Sequence, residues 1–362
     1  MREPRPFSVF VATPLGNGGE GGIDRLMDGV RASGLTEQQE NLHLSFGTTR
    51  GRGSIWLSPF YLASFIAQLT WQRAVGRCDL VHINLASDGS TYRKTLVANI
   101  AKALGIPYVL HLHGADYQEF LAAAKPALQN SIKAMFADAE RVIVLGEVWR
   151  NFVIERLRVS PDRVVVVPNA VPIPKLPRKA DNTKQVRILF LGRIGARKGV
   201  PTLLEALSLI ADRQDWRAVI AGDGEIAETR SALQHRNLAA RVNVPGWLRS
   251  EDTELQLADA DILVLPSRNE NLPMSVIEAM AAGLAIVTTP VGATAEIIEH
   301  EVTGLLISVD DADGLAKALS RLIGDVKLRQ RLGKAAQQFH RKNLEINAYS
   351  RRLLELWQGV VE

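Results

Sequence analysis

Cysteine is almost missing from this chain of 362 residues: Cys78 is the only one. A lone thiol excludes an intramolecular disulfide and suits a reducing compartment. Its place just before an apolar run reads as a small residue at the start of a buried strand. No apolar run approaches the ~20 residues that a transmembrane helix needs, and the opening stretch Met1–Pro14 has no long apolar signal core. The expectation is a cytoplasmic protein. A dominant sign of charge is missing too. The net charge is +4, with 43 Lys and Arg scattered among 39 Asp and Glu, which excludes the basic stripe of a nucleic-acid binder. Sustained internal repeats and low-complexity blocks are likewise absent, so a solenoid is not expected.

What is present is ordinary globular composition, 46% hydrophobic and 23% charged, in a chain long enough for two cores. Short apolar runs alternate with helical patterns. Ser8–Thr13, Leu80–Asn84, Tyr108–His111, Val142–Leu145 and Val164–Val167 read as buried strands in the first half. Arg187–Leu191, Arg217–Ala221, Val242–Val244, Ile262–Leu265, Ala285–Thr288 and Leu305–Ser308 repeat the pattern in the second. Strands alternating with helices of this length predict an α/β protein with parallel sheets. Four prolines fall in the ten residues Pro168–Pro177, where neither helix nor central strand can continue. The predicted organisation is an N-terminal domain over 1–168, a linker over 169–185, a second domain over 186–340 and a terminal helix over 341–362. The helical pattern Lys327–Gln358 carries an interruption near Lys342–Leu344.

Several strand ends carry chemistry. After Ser8–Thr13 comes Pro14-Leu15-Gly16-Asn17-Gly18-Gly19-Glu20-Gly21-Gly22, with five glycines in seven residues ahead of a helix. Missing β-carbons admit a ligand, and a helix N-terminus offers free N–H groups to an anion; a plain flexible turn is the alternative. No acidic ribose partner follows at dinucleotide-fingerprint spacing. Tyr108-Val109-Leu110 leads into His111-Leu112-His113-Gly114. Alternation puts both histidines on one side at a strand's carboxyl end, where α/β sheets gather ligands. His113 favours a ligand role and His111 a structural one; zinc lacks a third ligand at a recognisable spacing. Ile188–Leu191 ends in Gly192-Arg193, and Lys198 stands five residues on, before a helix. Two fixed cations beside a glycine turn suit a diphosphate. Val219-Ile220-Ala221-Gly222-Asp223-Gly224 repeats the strand-to-glycine turn.

The carboxylates Glu270 and Glu278 sit eight residues apart, one on a loop after an apolar strand and one in the following helix. About 12 Å of helical rise separates such positions. They are too far apart to share a proton and could grip two ends of one elongated ligand. Asp259-Ala260-Asp261 matches a metal-binding pattern literally, but it lies before the strand Ile262–Leu265, at the wrong end for the site. The stretch Arg50–Arg73 is aromatic and apolar with arginines at both ends. A core-facing helix is the favoured reading, and a helix seated on an anionic membrane the other.

In this order and spacing, Gly21-Gly22, His113-Gly114, Val167-Pro168-Asn169-Ala170-Val171, Gly192-Arg193…Lys198-Gly199, Ala221-Gly222-Asp223-Gly224 and the E-x7-E pair Glu270…Glu278 resemble the retaining GT-B glycosyltransferases of family 4, the glycosyl transferases group 1. The resemblance implies two Rossmann-like domains facing across a cleft, with the last helix crossing back to the first. It implies a UDP- or GDP-sugar donor and a saccharide or lipid-linked saccharide acceptor, with no cofactor, no metal and no nucleic acid. Arg193 and Lys198 would neutralise the leaving diphosphate, Glu270 would hold the transferred sugar, and Glu278 the ribose diol. Asn271, Leu272, Pro273 and Met274 would supply backbone amides. His113 would contact the sugar, and Gly21, Gly22, Gly192 and Gly222 would let backbone approach the donor. Work in surface-polysaccharide or glycolipid assembly, with peripheral contact at an anionic membrane, follows as an expectation. A sugar-nucleotide epimerase or hydrolase, and a non-catalytic nucleotide-sugar binding module, are the competing readings.

Overall fold

The structure, a computed structural model, describes residues 6–19, 21–34, 41–178 and 185–362. The chain divides into two compact units: everything up to Ala170 together with Ile346–Glu362, and Val171–Glu345. Of the expected linker, residues 179–184 lie outside the described residues, as does Glu20 of the glycine-rich loop.

The first unit is built on strands β1 (Phe7–Thr13), β2 (Leu42–Thr48), β3 (Leu80–Leu85), β4 (Tyr108–Leu112), β5 (Arg141–Val144) and β6 (Val164–Val166). Among the described residues they form one parallel sheet in the order β2-β1-β3-β4-β5-β6. Every residue of β1, β3 and β4 is buried, as expected where crossover helices cover both faces of a parallel sheet. The chain runs from β1 outward to β2, then back across to β3. The direction of winding therefore reverses between β1 and β3, the switch point where such sheets bind ligands. Helix Ile346–Val361 belongs to this unit and plugs Trp357 into its core, where the indole is fully buried. Cys78 is buried at the entry to β3, and burial pushes its thiol up to about 12, so it is an inert packing residue.

The second unit repeats the plan with β7 (Val186–Leu191), β8 (Trp216–Ala221), β9 (Val242–Gly246), β10 (Ile262–Leu265), β11 (Ala285–Thr288) and β12 (Leu305–Leu306). Its order is β12-β11-β10-β7-β8-β9, parallel throughout among the described residues. The switch point lies between β7 and β10. The proline-rich segment docks on this unit: Lys175 and Leu176 amides donate to Glu254 Oε1 (2.7 and 3.1 Å), and Arg178 pairs with Asp261 (2.7 Å). Val171 bonds alongside Leu344 and Glu345, and the His340 imidazole donates to its carbonyl at 3.1 Å.

Two expectations need correcting. Strand β2 has no counterpart among the apolar runs; its sequence, LHLSFGT, is a half-exposed edge strand. The aromatic stretch after Arg50 faces the core only along one narrow stripe, where Phe65 stacks on Phe10 of β1. Helix Ser58–Ala74 buries only Ser58, Phe65 and Leu69, while Trp56, Phe60 and Trp71 are 85%, 73% and 68% exposed. Only that stripe meets the sheet, and the rest of the apolar surface faces outward.

Candidate functional site

In the second unit the chemistry collects where β7 and β10 end, on either side of the switch point. The turn after β7 is laced to the turn after β8. Gly192 donates to Ala221 O (3.1 Å), Ile194 donates to Asp223 O (2.6 Å) and Glu225 donates to Ile194 O (3.0 Å). A β-carbon on Gly222 would lie 1.8 Å from Gly192 O, so only glycine allows the two turns to close to this distance. The turn after β7 is also tied to the loop after β10, through the Arg268 amide on Arg197 O at 2.9 Å.

That second tie brings Lys198 and Glu270 together, 72 residues apart in sequence. Lys198 Nζ lies 2.5 Å from Glu270 Oε1, with the side chains only 13% and 7% exposed. Ser267 Oγ donates to the same carboxylate oxygen at 2.8 Å, and Thr289 Oγ1 holds the Ser267 carbonyl at 2.6 Å. Behind the loop, the Ala293 amide donates to Asn271 O at 2.8 Å, and a β-carbon on Gly292 would fall 2.0 Å from Glu270 O. Glu270 is thus fixed from three directions before any ligand arrives. Asn271, Leu272 and Pro273 are buried, and Met274 opens the helix Met274–Ala282, whose first two amides, of Met274 and Ser275, precede the first intrahelical bond. Glu278 is buried on that helix. Arg193 is exposed on the turn after β7 and makes no ion pair with a described carboxylate. Gly192 and Gly222 therefore meet, and so do Lys198 and Glu270. The cations of the turn do not stand apart from the carboxylates, because Lys198 is already the counter-ion of Glu270.

Asp259 and Asp261 serve packing. Asp261 is fully buried, takes Arg178 at 2.7 Å and accepts the Arg187 amide at 2.8 Å, while Asp259 pairs with the Arg187 guanidinium at 2.8 Å. Among the described residues no group of three His, Cys, Asp or Glu side chains is arranged to hold a metal ion.

In the first unit Gly21 caps the helix Gly22–Ala32 and Gly22 is its first residue. The preceding loop is pinned by Asp24, whose Oδ1 accepts the amides of Leu15 and Gly16, both at 2.9 Å. His113 is half-buried at the end of β4. Its Nε2 lies 2.9 Å from Asn84 Oδ1, and Asn84 Nδ2 donates to Ala12 O at 3.3 Å. With the amide orientation of Asn84 set by Ala12, the Nε2–H of His113 must be the donor and Nδ1 is left as an acceptor. His111 stacks against His113 with ring centroids 3.9 Å apart. Trp357 donates to His82 Nδ1 at 3.1 Å, so His82 carries its proton on Nε2, facing His111 Nδ1 at 3.3 Å. Burial holds all three imidazoles neutral: it lowers His82 and His113 to about 3 and His111 well below its usual value. His111 and His82 are core residues; His113 is the one of the three that is only half-buried.

The sequence reading missed Ser267, Gly292, Asn84 and His82. Ser267 sits in the loop after β10, three residues before Glu270, and its small hydroxyl is the only local signal. The others come from distant elements.

The family of glycosyl transferases group 1 matches residues 174–339, and the glycosyl transferase 4-like domain matches residues 7–170. An uncharacterized glycosyltransferase of Methanocaldococcus jannaschii is 26% identical over 270 residues, which are 73% of this chain and 71% of that protein. An Escherichia coli UDP-Gal:alpha-D-GlcNAc-diphosphoundecaprenol alpha-1,3-galactosyltransferase is 27% identical, over 68% of this chain and 67% of its own length. Three other curated relatives are matched over less than half of their length. The fold is shared with sucrose-phosphate synthase from Thermosynechococcus elongatus, with a TM-score of 0.80 and 19% identity over 98% of this chain and 99% of that one. No helix among the described residues is long and apolar enough to cross a membrane. The two matched domains span nearly the whole described chain, and the chain belongs to the glycosyl transferases group 1 family.

Proposed function

We propose that the chain moves a hexose-type sugar from a UDP- or GDP-sugar to a hydroxyl of a saccharide or lipid-linked saccharide, retaining anomeric configuration and needing no metal. The observation that carries this reading is the Lys198–Glu270 pair at the switch point of the second sheet. A diphosphate draws Lys198 and the exposed Arg193 to its own charge. Glu270, relieved of its counter-ion but still held by Ser267, then accepts sugar hydroxyls. Glu278, about one turn into the helix, takes the ribose diol.

In the front-face route the bond from the anomeric carbon to the leaving phosphate breaks. The acceptor oxygen bonds to the same face of that carbon, and the acceptor's proton passes to a phosphate oxygen. This needs cations at the leaving group and no separate protein base. His113, neutral and only half-buried, accepts a hydrogen bond at Nδ1 from a hydroxyl of the bound sugar. Work in surface-polysaccharide or glycolipid assembly is supported by the name of the E. coli relative. Peripheral attachment to an anionic membrane is supported by the exposed aromatic residues Trp56, Phe60 and Trp71.

The experiment is a thermal-shift and turnover screen of UDP-, GDP- and ADP-sugars, since a ligand bound to the folded state raises its apparent stability. Failure of every nucleotide-sugar either to bind or to react sinks the proposal. Turnover without acceptor, as fast as the best acceptor reaction, shows an epimerase or hydrolase instead.

A further inference from the structure

Between Asn41 and Cys78 the sequence holds no Asp or Glu and four arginines, Arg50, Arg52, Arg73 and Arg77. Two of them frame the glycine-rich loop after β1. The amides of Arg50 and Gly51 donate to Pro14 O at 2.9 and 3.1 Å, and the Arg52 guanidinium donates to Asn17 O. A further arginine arrives from helix Gly89–Ala103. There the fully buried Lys94 donates to Thr49 Oγ1 at 2.8 Å, and Thr49 is itself fixed on Thr13 O at 2.9 Å. This lock brings together the segments that carry Arg50 and Arg93, each arginine being the chain neighbour of a locked residue, and the Arg50 charge acts against that of Arg93.

Neither Arg50 nor Arg93 has an ion-pair partner among the described residues, and Arg93 Nε is buried without a hydrogen-bond acceptor. Among the described residues, the carboxylates of helix Gly22–Ala32 face other partners. Asp24 pins the loop and attracts Lys94, and Asp28 takes the Gly18 amide (2.7 Å) and Arg31 (2.5 Å). Among the described residues these two half-buried arginines have no carboxylate partner, which is the arrangement an anion satisfies.

The same place is apolar on its outer side. The Tyr61 ring covers Gly51, where a β-carbon would lie 2.0 Å from it. The exposed surface of Ile55, Trp56, Phe60 and Tyr61 thus begins between Arg50 and Arg52, and Tyr92, 58% exposed, precedes Arg93 on its helix. We infer that this edge of the first unit binds a lipid phosphate, with Arg50 and Arg93 on the phosphate and the apolar chain along Trp56, Phe60 and Tyr61. The inference rests on the transferase reading and names the class of its acceptor. A soluble phosphorylated sugar leaves the aromatic residues idle, and a neutral saccharide leaves the arginines idle as well.

The test titrates the full chain with dodecyl phosphate below its micelle concentration, followed by tryptophan fluorescence. Dodecyl maltoside, inorganic phosphate and diphosphate are titrated in parallel. Dodecyl phosphate is expected to bind at least about tenfold more tightly than any of these. R93Q should weaken it by about tenfold to a hundredfold, the range for one charge-assisted hydrogen bond, and R93K by less. R50Q gives the same reading should R93Q fail to fold. Equal binding of the neutral detergent, equal binding of free phosphate or diphosphate, or indifference of both glutamine variants overturns the inference. A donor thermal shift on the same protein keeps the two ideas apart. A donor response without a dodecyl phosphate response overturns this inference alone, and the converse overturns the transferase reading.

Discussion

The Lys198–Glu270 pair allows the sharpest perturbation. Lys198→Met keeps the aliphatic stem and deletes the ammonium. Glu270 is then a carboxylate with 7% side-chain exposure whose one remaining side-chain partner among the described residues is the Ser267 hydroxyl at 2.8 Å. Exposed pairs contribute only about 0–1 kcal/mol, but at 13% and 7% exposure this pair belongs to the buried class. Removing one partner of a buried pair costs about 3–5 kcal/mol, because the other charge is stranded. For a unit of this size about 1 kcal/mol moves Tm by roughly 2–4 °C, so the transition of the second unit should fall by roughly 6–20 °C. Adding Glu270→Gln removes the stranded charge, and the double variant should regain most of the loss. Calorimetry on the full chain reads both. Should Lys198→Met melt within about 2 °C of the parent, or the double variant be no better than the single, the carboxylate is not depending on this lysine. Turnover supplies an independent reading. Loss of a fixed cation at the leaving phosphate is expected to lower kcat by about 10²–10³, and an undiminished kcat refutes the assigned chemistry.

Asn84→Asp should place a carboxylate on the Nε2–H of His113 and raise that imidazole from about 3 by roughly 1–3 units. The kcat/KM profile then gains an acid-side limb absent from the parent, and superimposed profiles count against the tautomer argument. The histidine cluster also makes the first unit sensitive to acid. His82, His111 and His113 stay neutral when folded but take up protons when unfolded below about 6.5, so their contribution to stability is complete above that pH and lost as pH falls toward 3. The slope is about 1.4 kcal/mol per pH unit for each histidine; a Tm that stays flat from pH 7 to 4.5 would contradict it. Gly292→Ala pushes a methyl group against Glu270 O and should raise the KM for the donor by about tenfold, at a stability loss of about 1–3 kcal/mol. Unchanged donor KM would show that the loop does not need this support.

The strands buried on both faces were readable because such strands must be continuously apolar; β7 and β10 stand out for that reason. Edge strand β2 escaped because His43, Ser45 and Gly47 break its run, which a half-exposed edge tolerates. The outward face of helix Ser58–Ala74 escaped for the opposite reason. Its composition is that of a core helix, and only the geometry of Phe65 and Leu69, which occupy the one buried stripe, reveals that the rest has nothing to cover it.

The same division runs through the site. Glu270, Glu278 and the Gly192–Lys198 turn are local patterns and could be read as such, since a strand end, a glycine and a charge lie within a few residues. What gives these side chains their chemical state is not local. Lys198 reaches Glu270 across 72 residues, His113 reaches Asn84 across 29, and His82 receives its proton donor from Trp357 across 275. A linear pattern can therefore nominate a cation and a carboxylate for opposite ends of one ligand, while the folded sheet makes them partners. Donor binding must then begin by competing for that ion pair. On this reasoning, the price of separating Lys198 from Glu270 sets how strongly a diphosphate has to bind before the sugar is gripped. Monophosphate nucleotides, which carry less charge to Lys198, should accordingly bind without freeing Glu270.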